Sequence, residues 1–176
     1  VEATQFSRAD RQRHREKVRR CLDVFARMLG TSQFDFELPL TGLEIEFNLV
    51  DSVGDPAMRN AEVLEHIADP AYQTELAQFN IEINVAPQRL SGTLVADLEE
   101  QLRANLNAAE SKAQDLGAGI VMIGILPTLS TEHMGRESLS ANPRYGMINE
   151  QIFAARGEDL RLEIDGPDRL STHADA

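Results

Sequence analysis

The strongest constraint on the fold is a strict alternation of apolar and polar residues, which occurs in two segments of the chain. In residues 40–50 (LTGLEIEFNLV) every second residue is apolar, and this period of two predicts a β-strand with one buried face. The buried face would carry Leu43, Ile45, Phe47 and Leu49. The opposite, polar face would carry Gly42, Glu44, Glu46 and Asn48.

The second alternating segment covers residues 74–85 (TELAQFNIEINV) and is predicted to form one continuous strand that Pro87 ends. Its apolar face would carry Ala77, Phe79, Ile81, Ile83 and Val85. Its polar face would carry Gln78, Asn80, Glu82 and Asn84. Antiparallel sheets with one face in the core and one face in solvent have this pattern.

Other segments have the spacing of helices or of buried strands. Apolar residues three and four apart predict helices over 7–29 and 93–116, a short helix around 60–68 and a further one near 144–156. The run at 119–126 (GIVMIGIL) predicts a strand buried on both faces, and another strand begins at Leu160. The predicted fold is therefore α+β, with a mostly antiparallel sheet that has helices on one face and a polar, functional face.

The charge is distributed unevenly along the chain. Its 17 basic and 29 acidic residues give a net charge of −12. Residues 8–20 contain seven of the basic residues and two acidic ones, whereas the other 163 residues have a net charge of −17. This negative charge repels the phosphate backbones of nucleic acids, so we expect no binding to nucleic acid. The basic helix is interpreted as a solvated surface helix, with an RNA- or phosphate-binding arm as the alternative.

The apolar runs, the first residues and the cysteine content of the sequence predict where in the cell the protein is found. The longest apolar run, residues 120–126, is far shorter than the about 20 residues that cross a membrane. The first residues lack the apolar segment of a secretory signal. Cys21 is the only cysteine, and we expect it to pack in a core rather than act as a nucleophile. These features predict a cytoplasmic protein that does not bind a membrane.

The acidic residues of the two strands are candidates for metal binding. Glu44 and Glu46 lie two positions apart on one strand, so their side chains would point the same way, about 7 Å apart. If the strands pair, Glu82 joins them, and the repulsion of like charges must be relieved by a proton or a cation. Carboxylate and amide oxygens suit Mg²⁺ or Mn²⁺. The alternative is an ordinary solvated sheet face, where glutamate is common.

These segments resemble the start of the glutamate–cysteine ligase superfamily, the bacterial branch of the carboxylate–amine ligases. TGLEIEFNLVD is similar to the family's G-x-E-x-E-F strand, and ELAQFNIEINVAP is similar to a second strand of pattern E-x6-E-x-N. The long helix, the GIVMIGILP strand and the pair Arg144–Tyr145 follow in the family's order. The resemblance covers roughly residues 40–155.

The resemblance implies a saddle-shaped sheet of the glutamine synthetase and glutamate–cysteine ligase type, whose concave face binds Mg²⁺, ATP and an amino acid. It implies that the metal ligands are Glu44, Glu46, Glu75 and Glu82. Arg89 and Arg144 are candidates to bind phosphate or carboxylate, since guanidinium groups do so bidentately, with surface ion pairs as the alternative. No catalytic residue is assigned.

The implied reaction joins a carboxylate to an amine, most simply glutamate to cysteine, through an acyl phosphate made from ATP. The product, γ-glutamylcysteine, belongs to glutathione biosynthesis. Residues 1–39 would be a basic helix and linker, and residues 40–176 the N-terminal portion of the catalytic domain. Because family catalytic domains are longer, we expect the 176-residue chain to be a fragment that is inactive alone.

Two positions depart from the family pattern. Leu126 stands where relatives often have a histidine. Glu75 lies seven residues before Glu82, so strict alternation would place them on opposite faces unless a bulge intervenes or Glu75 precedes the strand. The alternatives to a ligase are a non-catalytic relative that binds a nucleotide, a metabolite or a protein, and a metal-dependent phosphohydrolase. The acceptor amine and the oligomeric state are not predicted.

Overall fold

The structure, a computed structural model, describes residues 6–34, 37–156, 160–167 and 169–174. The helices are α1 (Arg8–Gly30), α2 (Asn60–Ile67), α3 (Leu94–Asp115) and α4 (Pro143–Arg156). The strands are β1 (Leu40–Val50), β2 (Tyr72–Thr74), β3 (Asn80–Arg89), β4 (Gly119–Val121), β5 (Leu160–Asp165) and β6 (Arg169–Ala174). Two single 3-10 turns, at Thr131–His133 and Arg136–Ser138, precede α4.

The helix predictions and the first strand prediction are confirmed. The Ser7 hydroxyl caps α1 by accepting from the backbone N–H of Asp10, whose carboxylate accepts from the backbone N–H of Ser7. Such a reciprocal cap satisfies two N–H groups that the first turn of a helix leaves unpaired. At the C-terminal end of α3, Gly117 has a φ of +72°, which glycine adopts without strain.

The prediction of one strand over 74–85 is wrong, because this segment is a hairpin. β2 ends at Thr74 and β3 begins at Asn80, whose N–H donates to the carbonyl of Ala77 across the turn at 2.8 Å. The side-chain amide of Asn60 also donates to the carbonyls of Ala77 and Asn80, at 3.1 and 3.0 Å. The alternating pattern continues through the turn, so the sequence alone does not reveal the break.

The prediction of a long strand buried on both faces at 119–126 is also wrong. β4 has only three residues, and beyond it Met122, Ile123 and Ile125 have exposed fractions of 68%, 43% and 78%. The reason is the position of β4 at the edge of the sheet, where no further strand of the described chain covers it. Leu126, by contrast, is buried.

The four-stranded sheet has the order β2-β3-β1-β4 and is antiparallel, as predicted. In the β2–β3 pair Gln73 lies opposite Glu82, and in the β1–β4 pair Asn48 lies opposite Val121. β5 and β6 form a separate antiparallel pair. The α+β class with an antiparallel sheet is therefore confirmed.

The apolar face of the sheet forms the core together with α2 and α3. The sheet contributes Phe47, Leu49, Ile81 and Ile83, each no more than 1% exposed, and the helices contribute Val63, Ile67, Ala109 and Ala113. Complete burial of a large apolar side chain is worth about 1.5–3 kcal/mol. Packing of helices on this face leaves the opposite face of the sheet polar.

The chain divides into two compact units. One comprises Val1–Thr41 with Gln88–Gly92, and the other Gly42–Pro87 with Thr93–Ala176. β1 and β3 each contribute residues to both units. The predicted division into residues 1–39 and 40–176 stays a prediction.

In the first unit α1, all of whose residues the structure describes, buries none of them. Its apolar stripe is Val18, Leu22, Phe25 and Leu29, between 41% and 59% exposed. Cys21 is exposed as well, so the expectation that it packs in a core is wrong. Among the described residues, no helix is long and apolar enough to cross a membrane.

Candidate metal centre

Three glutamates converge on the polar face of the second unit. Glu46 lies on β1, Glu75 directly follows β2, and Glu82 lies on β3. One carboxylate oxygen of each lies within 4.8 Å of the corresponding oxygens of the other two. Glu46 is exposed, and Glu75 and Glu82 are half-buried. We call these three residues the carboxylate group.

Pairing of β1 with β3 brings Glu46 beside Glu82. The side-chain amide of Asn80 donates to Oδ1 of Asn48 at 2.8 Å, and the amide of Asn48 donates to the carbonyl of Ile123 at 2.8 Å. Asn48 is only 4% exposed, so these bonds satisfy a buried polar group. Because side chains alternate along both strands, Glu46 and Glu82 lie on the same face as this amide pair, two residues away from it.

The hairpin turn accounts for the position of Glu75. Gln73 lies opposite Glu82, so Glu75, two residues nearer the turn, lies on the same face as Glu82. The second of the two arrangements predicted for Glu75, a position before the strand, is therefore the one observed. The odd separation of seven residues poses no difficulty, because the chain reverses direction between Glu75 and Glu82.

Two side chains distant in sequence hold the end of β2 in place. The hydroxyl of Tyr145 on α4 donates to the carbonyl of Thr74 at 2.9 Å. The hydroxyl of Ser140, which is 4% exposed, donates to the carbonyl of Glu75 and accepts from the amide of Asn60 at 2.7 Å. The sequence predicted no role for Asn60 or for Ser140, which lies outside the helices and strands. The partners of both lie too far along the chain for any local pattern to reveal.

Within the carboxylate group, burial and like charge both act on Glu75. Burial is the largest cause that raises the pKa of Glu75 above its ordinary value, and the nearby charges of Glu82 and Glu46 raise it further. A hydrogen bond from the backbone N–H of Leu76 to the Glu75 carboxylate, at 3.0 Å, acts in the opposite direction. Like charges so close repel one another, and a bound proton or cation relieves the repulsion. The donor set, three carboxylates with hard oxygen atoms, fits a divalent cation such as Mg²⁺ or Mn²⁺.

The fourth predicted ligand, Glu44, is not brought into the carboxylate group. It is exposed on β1 and lines a cavity of about 500 Å³ together with Gly42, Asn84 and Pro87. Its role as a metal ligand stays a prediction.

The two predicted anion-binding arginines are both exposed. Arg89 is the exposed last residue of β3 and belongs to the first unit. Arg144 is exposed in the first turn of α4, where its backbone N–H donates to the side chain of Asn142 at 3.0 Å. Neither guanidinium forms an ion pair with another described residue. Both assignments stay predictions.

A cavity of about 250 Å³ adjoins the carboxylate group. Glu46, Asn48 and Asn80 line its polar side, and residues 122–124 (Met, Ile, Gly) line another side. A ligand here would contact a carboxylate and two amides on one side and an apolar wall on the other.

An antiparallel sheet with helices on one face and converging carboxylates on the other defines an α+β protein with a candidate cation site of oxygen donors. The family model described as glutamate-cysteine ligase family 2 matches residues 40–158, and the chain belongs to this family. The resemblance drawn from the strand motifs is thus confirmed. The matched region includes the whole carboxylate group and excludes α1.

Similar proteins carry the family's name. Two from Mycobacterium sp., strains KMS and JLS, are named "Putative glutamate--cysteine ligase 2-2" and are 32% identical over 115 residues, 65% of this chain and 30% of theirs. A protein of the same name from Mycolicibacterium vanbaalenii is 31% identical over 138 residues, 76% of this chain and 36% of its own. The chain thus spans about a third of the length of these relatives. No solved structure matches the chain, so the saddle shape of the sheet stays a prediction.

Proposed function

We propose that this chain belongs to an ATP- and Mg²⁺-dependent carboxylate–amine ligase that joins glutamate to cysteine and yields γ-glutamylcysteine. The observation that carries the proposal is the convergence of Glu46, Glu75 and Glu82 within a region that matches the ligase family. The names of the relatives support glutamate and cysteine as substrates. The product would enter glutathione biosynthesis, and we propose the cytoplasm as the compartment.

In the proposed reaction the γ-carboxylate of glutamate attacks the γ-phosphorus of ATP, and ADP leaves. The amine of cysteine then attacks the acyl carbon, and inorganic phosphate leaves as the amide bond forms. Mg²⁺, when bound, would neutralise and align the phosphate oxygens, which is the main requirement of phosphoryl transfer. Glu46, Glu75 and Glu82 would hold it, with Mn²⁺ as a substitute.

The described residues would prepare the site in two ways. The amides of Asn48 and Asn80 keep β1 and β3 in the pairing that places Glu46 beside Glu82. Because its pKa is raised, the Glu75 carboxyl has an increased tendency to keep its proton, and it would release that proton when a cation binds. Nucleotide binding should therefore depend on both Mg²⁺ and pH.

A second candidate function is that of a non-catalytic relative that binds a nucleotide, a metabolite or a protein. The observation that favours it is Leu126, which stands where relatives of the family often have a histidine. Leu126 is 4% exposed, and its side chain offers no ligand atom to a nucleotide or a metal. Such a protein would bind its ligand without releasing ADP.

The test is Mg²⁺-dependent release of ADP from ATP by the complete product of the gene, with the 176-residue chain assayed in parallel. Glutamate is supplied alone and with a panel of amines led by cysteine. Release that requires glutamate and one amine supports the ligase and identifies the acceptor. Release without any amino acid would indicate a phosphohydrolase instead, and nucleotide binding without release would favour the non-catalytic relative.

A further inference from the structure

Asn84 contacts the carboxylate group from outside it. It lies on β3 two residues after Glu82, is half-buried, and donates its side-chain amide to Oε1 of Glu82 at 2.8 Å. The other two carboxylates are held differently: Glu75 accepts from the backbone N–H of Leu76, and Glu46 has no hydrogen bond from a side-chain amide within the described part of the chain.

From this geometry we infer that Asn84 is a positioning residue, which orients the carboxylate of Glu82 for a divalent cation. The inference rests on the metal site of the proposed function. In this role Asn84 acts through Glu82: its amide holds the carboxylate, and the carboxylate would bind the cation.

The physical reason is the freedom of a glutamate side chain. Its carboxylate turns about a broad terminal torsion, and ordering such a side chain costs conformational entropy when a cation binds. A hydrogen bond to one oxygen removes part of that freedom beforehand. Partners of this kind orient metal ligands in many proteins, and their loss weakens metal binding about 10- to 100-fold.

The amide of Asn84 is a suitable partner for the Glu82 carboxylate because it is neutral. Asparagine donates a hydrogen bond without adding charge, whereas a fourth carboxylate would increase the repulsion around Glu82. On the other side of Glu82, Gln73 lies opposite it on β2 and is exposed, without a hydrogen bond from its side chain to any described residue. Gln73 is therefore a matched control: a neighbouring polar side chain on the same face that does not hold the carboxylate.

The experiment is a titration of the metal-free full-length protein with Mn²⁺, followed by the electron paramagnetic resonance of the free ion. Wild type is compared with Asn84→Leu, which has a similar shape, with Asn84→Ala, and with the control Gln73→Leu. We expect the Asn84 variants to bind Mn²⁺ about 10-fold or more weakly and Gln73→Leu to bind like wild type. Asn84→Gln, which keeps the amide, should bind more tightly than Asn84→Ala.

Thermal unfolding without a cation separates orientation from folding. We expect the midpoints of the Asn84 variants to stay near that of wild type, and the increase that Mn²⁺ produces to become smaller. Asn84 variants that bind as tightly as wild type would overturn the inference and leave the metal site standing. The inference would also be overturned if Asn84→Gln bound Mn²⁺ as weakly as Asn84→Ala and the Asn84 variants also unfolded at a lower temperature than wild type without a cation. A wild type that binds no Mn²⁺ contradicts the proposed function itself.

Discussion

The side-chain amide of Asn80 donates to Oδ1 of Asn48 across the pairing of β3 with β1, at 2.8 Å. The same pairing places Glu46 beside Glu82. A shift of one residue between the strands would move Glu46 or Glu82 to the apolar face, because side chains alternate with a period of two. The buried amide pair therefore helps to specify the register on which the carboxylate group depends.

Replacement of Asn48 by leucine should destabilise the protein. It removes the bonds to Asn80 and to the carbonyl of Ile123, and unpaired polar groups in a buried setting cost about 1–3 kcal/mol. Urea unfolding followed by circular dichroism measures the change. Gln101→Ala, at an exposed position of α3, is the control and should stay within about 0.5 kcal/mol of wild type. Equal stabilities of the two variants would contradict a role of the amide pair in specifying the register.

Glu46→Gln should weaken divalent-cation binding more than any change at Asn84, because it removes a ligand rather than its support. Folding should be retained or slightly improved, since one of three repelling charges is lost. Calorimetric titration with Mg²⁺ measures the affinity. The shift of the unfolding midpoint in excess Mg²⁺ measures how much the bound cation stabilises the fold. For wild type we expect about 2.7 kcal/mol at a Mg²⁺ concentration of a hundred times the Kd. Glu44→Gln, measured alongside, tests whether that predicted ligand takes part. Unchanged Mg²⁺ affinity in Glu46→Gln would remove Glu46 from the site.

Glu75→Gln should change the pH dependence of stability in the metal-free protein. Because the pKa of Glu75 is raised in the folded protein, the folded state binds the proton of the Glu75 carboxyl more tightly than the unfolded state does. Stability is therefore lost as the pH rises from the ordinary glutamate pKa through the raised value. Glu75→Gln should not show this loss. Its free energy of unfolding should match or exceed that of wild type at neutral pH, and the two values should differ less at acidic pH. Urea unfolding at a series of pH values measures the effect, and identical pH profiles of wild type and Glu75→Gln would contradict the prediction.

Tyr72→Phe should leave stability unchanged or increase it. Among the described residues, the Tyr72 hydroxyl is a buried group without a hydrogen-bond partner, and burial with the nearby charge of Asp69 raises the pKa of Tyr72 to about 12. Removal of a desolvated, unpaired hydroxyl costs no hydrogen bond. A loss of more than about 1 kcal/mol in urea unfolding would indicate a partner for the hydroxyl.

The core and α1 should respond differently to truncation. Phe47→Ala removes a side chain that is 1% exposed and should cost about 3–5 kcal/mol. Leu22→Ala truncates a side chain of α1 that is 59% exposed and should change stability by about 0.5 kcal/mol or less. Urea unfolding compares the two variants directly. A large cost for Leu22→Ala would mean that the apolar stripe of α1 is covered in solution.

The sequence by itself determined the features that depend on near neighbours along the chain. The bounds of β1 and the start of α1 at its Ser7 cap follow from periodicity and capping, which involve residues only a few positions apart. The polar face that carries Glu46 and Glu82 follows from the same alternation. The spacing of the motifs also sufficed to predict the family.

Only the tertiary structure decided which of these residues meet. The turn between Thr74 and Asn80 places Glu75 beside Glu82, and it is held by Asn60 and Ser140 from distant parts of the chain. The pairing of β4 with β1 stops at Val121, and no further strand of the described chain covers β4 at this edge of the sheet. These outcomes depend on which strands become neighbours and where each pairing stops. Both are set by contacts between residues far apart in sequence, which periodicity does not encode.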